Sequence, residues 1–142
     1  MKTVRDILTT KGTTVYAVRP DDSALDVIQL MTDKGVGALL VLDGDHVAGI
    51  VSERDVARKI TRLEKGPRET PASAIMSSRV TCVRPDLTIQ EAMAVMTDKR
   101  IRHLPVLEEG KVIGVVSIGD LVKAVIDEQQ FIISQLEQYI ST

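Results

Sequence analysis

An internal duplication most limits what this chain can fold into. The segment from Val18 to Asp21, VRPD, recurs 65 residues later from Val83 to Asp86. Holding that offset without a gap aligns residues 15–60 with residues 80–125 at 17 identical positions out of 46. A solenoid needs three or more repeats, so two copies predict a duplicated domain instead.

Each copy carries the pattern of a β-α-β-β-α unit. A short β-rich run precedes a helix with a capping box, and an apolar hairpin then leads into a second helix. In the first copy these segments are 15–18, a helix from Ser23, strands 38–42 and 47–51, and a helix from Glu53; in the second they are 80–83, a helix from Thr88, strands 103–107 and 112–116, and a helix from Ile118. The predicted fold class is α+β, with a three-stranded sheet and two helices on one face in each copy.

Gly66, Pro67 and Pro71 mark residues 64–71 as a linker. The predicted domains are therefore residues 1–63 and 72–142. Short apolar segments around Ile7 and Ile75 resemble each other and predict a lead-in helix for each copy.

Composition excludes several functional classes. A net charge of −2 and 2% aromatic residues argue against nucleic-acid binding, which needs a basic face or stacking rings. No apolar run approaches the 18 residues of a membrane span, and one cysteine suits a reducing compartment, so a cytoplasmic location is expected.

The last helix is predicted to continue from Asp120 to about Tyr139, beyond the end of the repeat. Its apolar side contains Leu121, Val125, Ile132, Leu136 and Ile140. We expect this stripe to pack on another subunit and to support a homodimer; the alternative is that it folds back on its own core.

Both copies contain the motif Gly-x-x-Ser-x-x-Asp where the hairpin meets the second helix. The motif residues are Gly49, Ser52 and Asp55 in the first copy and Gly114, Ser117 and Asp120 in the second. A single Ser-x-x-Asp is most simply a helix cap. Yet the motif is shared while its neighbours differ. A helix N-terminus with a hydroxyl suits a phosphate, an acidic residue suits a ribose diol, and glycine permits close approach of a ligand.

The chain resembles a tandem pair of CBS (cystathionine-β-synthase-type) domains, a Bateman module, over nearly all of its 142 residues. The resemblance implies a pseudo-twofold axis between the copies and two clefts for AMP, ADP, ATP, NAD(H) or S-adenosylmethionine. It also implies that Ser52 and Ser117 contact phosphate, and that Asp55 and Asp120 hold ribose hydroxyls.

By the same resemblance, the residues leading into the second strand of each copy line the adenine pocket, with first-strand residues on the other wall. These are Val36, Gly37, Ala38, Thr14, Val15 and Tyr16 for the first copy, and Ile101, Arg102, His103, Val80 and Thr81 for the second. Arg54 could reach the phosphate near Ser52, whereas its counterpart is Gly119. Because Arg102 and His103 replace Gly37 and Ala38, the two pockets are expected to be unequal. The alternative for Arg54, Arg102, Arg58 and Lys59 is a solvated surface.

An enzyme needs a base, a nucleophile or a metal cluster at a pocket, and the sequence offers none of these together. Cys82 lies in an apolar strand and is expected to be inert. The predicted function is a non-catalytic sensor of adenine nucleotides that regulates an unidentified partner protein and forms a homodimer through CBS helices and the C-terminal helix. The alternative is an interaction or oligomerisation module without a physiological nucleotide.

Overall fold

The computed structural model of the protein describes residues 2–141. Its helices and strands follow the predicted order in both copies. They are α1 (Val4–Lys11), β1 (Ala17–Val18), α2 (Ala24–Lys34), β2 (Ala38–Asp43), β3 (His46–Ser52), α3 (Glu53–Lys59), α4 (Ala72–Ile75), α5 (Ile89–Lys99), β4 (His103–Glu108), β5 (Lys111–Ser117) and α6 (Ile118–Ser141), with one turn of 3₁₀ helix at Ile60–Arg62 after α3.

The chain forms two compact units, each with its own apolar core. The first-copy unit is Thr14–Thr81, and the second-copy unit combines the N-terminal segment through Thr13 with the chain from Cys82 onward. Fully buried side chains include Leu39 and Ile75 in the first-copy core, and Leu104 and Leu121 in the second-copy core. The mixed helix and strand content confirms the predicted α+β class.

In the first-copy unit the sheet has the strand order β1-β2-β3. Strand β1 runs parallel to β2, with Ala17 opposite Leu40, and β2 is antiparallel to β3, with Ala38 opposite Ser52. This is the predicted three-stranded sheet, and it places the start of β2 beside the end of β3.

In the second-copy unit the sheet has only two strands, β4 and β5, and the predicted first strand is reduced to a single parallel bridge between Val83 and Val106. The difference lies at Pro105, which occupies the place of Leu40. The Leu40 amide donates to the Tyr16 carbonyl at 3.3 Å, whereas proline has no amide hydrogen to donate. The prediction of three strands is therefore wrong for this copy.

Both predicted lead-in helices are present, as α1 and α4, but each packs in the core of the copy that it does not immediately precede. Val4, Ile7 and Leu8 of α1 are buried in the second-copy core, and Ala72 and Ile75 of α4 are buried in the first-copy core. The packing therefore does not follow the order of the chain, whereas the predicted division placed α1 with residues 1–63.

The C-terminal helix α6 begins at Ile118, as predicted, and is anchored by the fully buried Leu121. Farther along, large apolar side chains are exposed, from 52% at Ile132 to 81% at Ile140. This exposure contradicts the alternative that the stripe folds back on its own core. No helix in the described part of the chain is long and apolar enough to cross a membrane.

Candidate functional site

In the first-copy unit, the motif residues Ser52 and Asp55 form a capping box at the start of α3. The Ser52 amide donates to Asp55 Oδ2 at 2.9 Å, and the Asp55 amide donates to Ser52 Oγ at 3.2 Å. The Ser52 hydroxyl also donates to Asp55 Oδ2 at 3.1 Å. Both side chains are half-buried, so the pair is held in one geometry at a partly open helix N-terminus.

The second-copy unit repeats this arrangement at the start of α6. The Ser117 amide donates to Asp120 Oδ2 at 2.8 Å, and the Asp120 amide donates to Ser117 Oγ at 3.2 Å. The motif therefore forms a helix cap in both copies, as expected for Ser-x-x-Asp in general. A ligand-binding role for these residues stays a prediction.

The residues that lead into the second strand of each copy lie directly beside the motif. The Glu53 amide donates to the Gly37 carbonyl at 3.0 Å, and the Ile118 amide donates to the Arg102 carbonyl at 2.9 Å. In the hairpins, Ala38 pairs with Ser52 and His103 pairs with Ser117. In each unit the fold thus brings together the residues predicted to hold adenine and those predicted to hold ribose and phosphate.

The two motif glycines each lie against a lead-in segment of the protein. A Cβ atom at Gly114 would lie 2.5 Å from Leu8 Cδ2, and one at Gly49 would lie 2.5 Å from Met76 Sδ and 2.8 Å from the Ser77 carbonyl oxygen. The space beside each glycine is filled by a lead-in segment of its own unit. The absence of a side chain is thus required for packing on the Cβ side of each glycine, and the close approach of a ligand to these glycines stays a prediction.

Lys11, a residue outside the predicted site, contacts the second-copy motif. Its Nζ donates to Asp120 Oδ2 at 2.6 Å and to the Val115 carbonyl at 2.8 Å. Burial raises the pKa of Asp120, but hydrogen bonds from Lys11 and Ser117, together with the charge of Lys11, outweigh burial and lower the pKa below its usual value. A contact across 109 residues leaves no local pattern that could have indicated it.

The first-copy motif also has a lysine nearby, but in a different arrangement. Lys59 Nζ lies 3.9 Å from Asp55 Oδ1, beyond hydrogen-bonding distance. It donates instead to the carbonyls of Ile75 and Met76, both at 3.2 Å, at the end of α4. Lys59 thus links α3 to the end of α4, while its side chain remains 39% exposed.

The side chains of the other predicted site residues have varied surroundings. Arg54 and Arg102 are exposed, and Ile101 packs against the second-copy core. The Tyr16 ring lies 5.6 Å from Lys34 Nζ. Thr14 and Thr81 are the first and last residues of the first-copy unit. Their predicted role at a ligand site stays a prediction.

Three other features of the structure concern where a site could lie. A surface hollow of about 580 Å³ lies at the far end of β2 from Ala38. It is lined by residues 17–22 and 42–44, which include no residue of either Gly-x-x-Ser-x-x-Asp motif. Among residues 2–141, no group of three His, Cys, Asp or Glu side chains could hold a metal ion. Burial raises the pKa of the Cys82 thiol, which disfavours the reactive thiolate.

Comparison with known proteins agrees with the architecture. The family model described as CBS domain matches residues 4–62 and 72–127. The mitochondrial CBS domain-containing protein CBSX3 of Arabidopsis thaliana is 36% identical over 147 residues, covering 97% of this chain and 71% of the relative.

Two solved structures share the fold. A CBS-domain protein from Burkholderia ambifaria MC40-6 is 50% identical with a TM-score of 0.85, covering 90% of this chain and 96% of that one. The protein CBSX2, solved in complex with AMP, is 25% identical with a TM-score of 0.74, covering 91% of this chain and 99% of that one. With two repeats matched by the family model and the same fold in these relatives, the chain belongs to the CBS domain family.

Proposed function

We propose that this protein is a non-catalytic regulatory module that binds an adenine nucleotide, such as AMP, ATP or NAD(H), at the strand-to-helix turns of its two copies. The observation that carries the proposal is the juxtaposition at each turn. The carbonyl of Gly37 or Arg102 is hydrogen-bonded to the first amide of the following helix, beside Ser52 and Asp55 or Ser117 and Asp120. Backbone groups for a purine edge and an acceptor for a ribose diol thus share one site.

The capping geometry does not carry the proposal by itself. Ser23 with Asp26 and Thr88 with Glu91 form the same box at the starts of α2 and α5. The Gly-x-x-Ser-x-x-Asp motif differs from these two capping boxes in its place at the end of a hairpin, next to the residues that lead into the second strand. The AMP complex of CBSX2, a relative with the same fold, supports the ligand class.

The two turns differ in charge, which supports unequal sites. Arg102 and His103 stand in the second copy where Gly37 and Ala38 stand in the first. We infer that the second site prefers ligands with more phosphate charge, because additional cations stabilise additional anionic oxygens. ATP should therefore gain more over AMP at the second site than at the first.

The experiment is a thermal-unfolding titration with AMP, ATP and NADH on the intact chain. We expect a ligand-dependent rise in Tm for the wild type, a smaller rise for Asp55→Ala or Asp120→Ala, and none for the double variant, because binding to the folded state alone raises its stability. Isothermal titration calorimetry on the same variants gives the number of sites.

Asp26→Ala is the matched control, because it removes an equivalent capping carboxylate away from the site. It should lower the basal Tm yet keep the ligand-dependent rise. Asn replacements at positions 55 and 120 retain a capping acceptor if the Ala variants unfold. If no nucleotide changes the Tm of the wild type, the alternative of an interaction module without a nucleotide takes the place of this proposal.

Self-association through the CBS helices and α6 is part of the proposal. The exposed side chains of Ile126, Ile133 and Ile140 recur every seven residues on α6, and this spacing favours packing against another helix. Contiguous exposed apolar surface of this kind marks an interaction site. Light scattering on the intact chain, compared with Ile133→Glu, tests whether a homodimer forms.

A further inference from the structure

The side chain of Lys11 occupies the position where the proposed function places a ribose. Lys11 is the last residue of α1, and the following Gly12 leaves the helix at a φ of 105°. The ammonium group reaches β5 and α6, where it donates to the Val115 carbonyl at 2.8 Å and to Asp120 Oδ2 at 2.6 Å. Two hydrogen bonds therefore fix Lys11 on the motif.

The carboxylate oxygen involved is already shared with the helix cap. Asp120 Oδ2 accepts from the Ser117 amide at 2.8 Å as well as from Lys11. The Asp120 side chain is 24% exposed and the Lys11 side chain 40% exposed, so the ammonium covers part of the open side of the carboxylate. A diol that approaches Asp120 must compete with this cation for acceptor sites.

In the first-copy unit no lysine hydrogen bond to the motif carboxylate is found among the described residues, although the Asp55 side chain, 21% exposed, is as covered as that of Asp120. There the nearby lysine, Lys59, is held by the carbonyls of Ile75 and Met76 and stays 3.9 Å from Asp55 Oδ1. Both motifs form the same cap, so what distinguishes the two capping carboxylates is the lysine contact and not the cap itself.

We propose that Lys11 is an internal competitor at the second-copy site, which a nucleotide must displace from Asp120 before its ribose can bind there. This inference rests on the proposed function and adds the order in which the two sites bind nucleotide. The first-copy site binds at lower nucleotide concentration, and the second-copy site binds only when the concentration suffices to release Lys11. One chain would then respond to two ranges of nucleotide concentration.

The test measures AMP binding by isothermal titration calorimetry in an Asp55→Ala background, where the second-copy site is the one observed. Lys11→Met should tighten AMP binding about 5- to 10-fold, the gain expected when a partly exposed, charge-assisted contact no longer competes. Lys11→Gln, which can still donate to the Val115 carbonyl, should give an intermediate gain in AMP affinity. It also provides a second test if Lys11→Met does not fold.

Arg5→Met is the matched control. Arg5 lies on the same helix and pairs with Glu108, so its replacement loosens α1 at its surface without uncovering Asp120, and AMP affinity should stay unchanged. An equal gain in Arg5→Met would mean that loosening α1 is the cause and would overturn the proposal.

The remaining outcomes separate the two proposals. Unchanged or weaker AMP binding in Lys11→Met overturns the competitor role while leaving nucleotide binding intact, and weaker binding would make Lys11 a phosphate ligand. Binding that appears only after Lys11 is replaced supports the competitor role. Absence of AMP binding in the wild type and in every variant overturns the proposed function, and the competitor role with it.

Discussion

At the residue scale, the motif glycines show how one missing side chain allows a lead-in segment to pack on a strand. Leu8 lies against Gly114, and Met76 together with the Ser77 carbonyl lies against Gly49. The two environments differ in one respect. The neighbour of Gly114 is the end of a flexible side chain, whereas Gly49 also meets a backbone oxygen that cannot turn away.

We therefore predict that Gly49→Ala destabilises the protein by about 1–3 kcal/mol, as other overpacking substitutions do, and that Gly114→Ala has a smaller effect. Gly66→Ala is the control, because nothing lies within 4 Å of a Cβ atom there, and its effect should stay within about 0.5 kcal/mol. Urea unfolding measures all three. Equal losses at Gly49 and Gly66 would contradict the packing role.

The pair formed by Lys11 and Asp120 predicts a pH dependence. Despite burial, which opposes ionisation, Lys11 and Ser117 lower the pKa of Asp120 in the folded state. A lowered folded pKa stabilises the protein above the unfolded value, about 3.9, and that contribution is lost as the pH falls through the folded pKa.

Lys11→Met should therefore be less stable than the wild type near neutral pH, by under about 1 kcal/mol because both groups are partly exposed. The difference should shrink as the pH falls below about 4. Unfolding free energies measured in urea across this range provide the check. A difference that stays constant with pH would show that Lys11 stabilises the fold through its hydrogen bond to the Val115 carbonyl, which does not depend on the charge of Asp120.

At the element scale, α2 and α5 are followed by different residues that adopt the same backbone conformation. Both helices end in the left-handed region, with Gly35 at a φ of 63° and Arg100 at a φ of 54°. An L-residue with a side chain is disfavoured there by about 1–2 kcal/mol, whereas glycine is not. The second copy thus retains a local strain that the first copy lacks.

Arg100→Gly should stabilise the protein by about 0.5–1 kcal/mol, since relief of the left-handed strain exceeds the entropy that glycine adds to the unfolded chain. Gly35→Arg should destabilise it by a similar amount. Thermal unfolding of both variants measures the pair, and a loss of stability in Arg100→Gly would show that the arginine side chain makes a stabilising contact greater than the strain.

At the scale of the whole molecule, each lead-in helix packs in the core of the copy that it does not immediately precede. Ile7 of α1 is buried in the second-copy core, and Ile75 of α4 is buried in the first-copy core. The backbone anchors correspond as well: the Val4 amide donates to the Leu87 carbonyl, and the Ala72 amide donates to the Asp22 carbonyl. Each copy is therefore completed by a helix from elsewhere in the chain.

Ile7→Ala and Ile75→Ala form a matched pair that tests this arrangement by hydrogen exchange. Each should cost about 2–5 kcal/mol, as truncation of a buried isoleucine does. Ile7→Ala should accelerate exchange mainly in β4 and β5, and Ile75→Ala mainly in β2 and β3, because sub-global opening follows the packed unit. Faster exchange of β2 and β3 in Ile7→Ala would contradict the assignment of α1 to the second-copy unit.

The sequence by itself determined the duplication, the order of helices and strands, their caps, and the position of the motif between a hairpin and a helix. The helices, strands and caps depend on residues within one or two turns of each other, such as Ser52 with Asp55, so local patterns encode them. The duplication follows from comparing residues 65 positions apart. Pro105 carried a local signal too, since a residue without an amide hydrogen limits the pairing of the strand beside it.

The tertiary structure alone decided which core each lead-in helix completes, what fills the space beside Gly49 and Gly114, and which cation meets Asp120. Lys11 and Asp120 are 109 residues apart, and Leu8 and Gly114 are similarly distant in the chain. Such contacts follow from how α1 packs on β5 and α6. Because apolar burial is non-directional, the apolar pattern of α1 does not indicate which core the helix will join. The capping geometry of the motif Gly-x-x-Ser-x-x-Asp is alike in both copies because it is local. The surroundings of the motif differ because different elements pack on it.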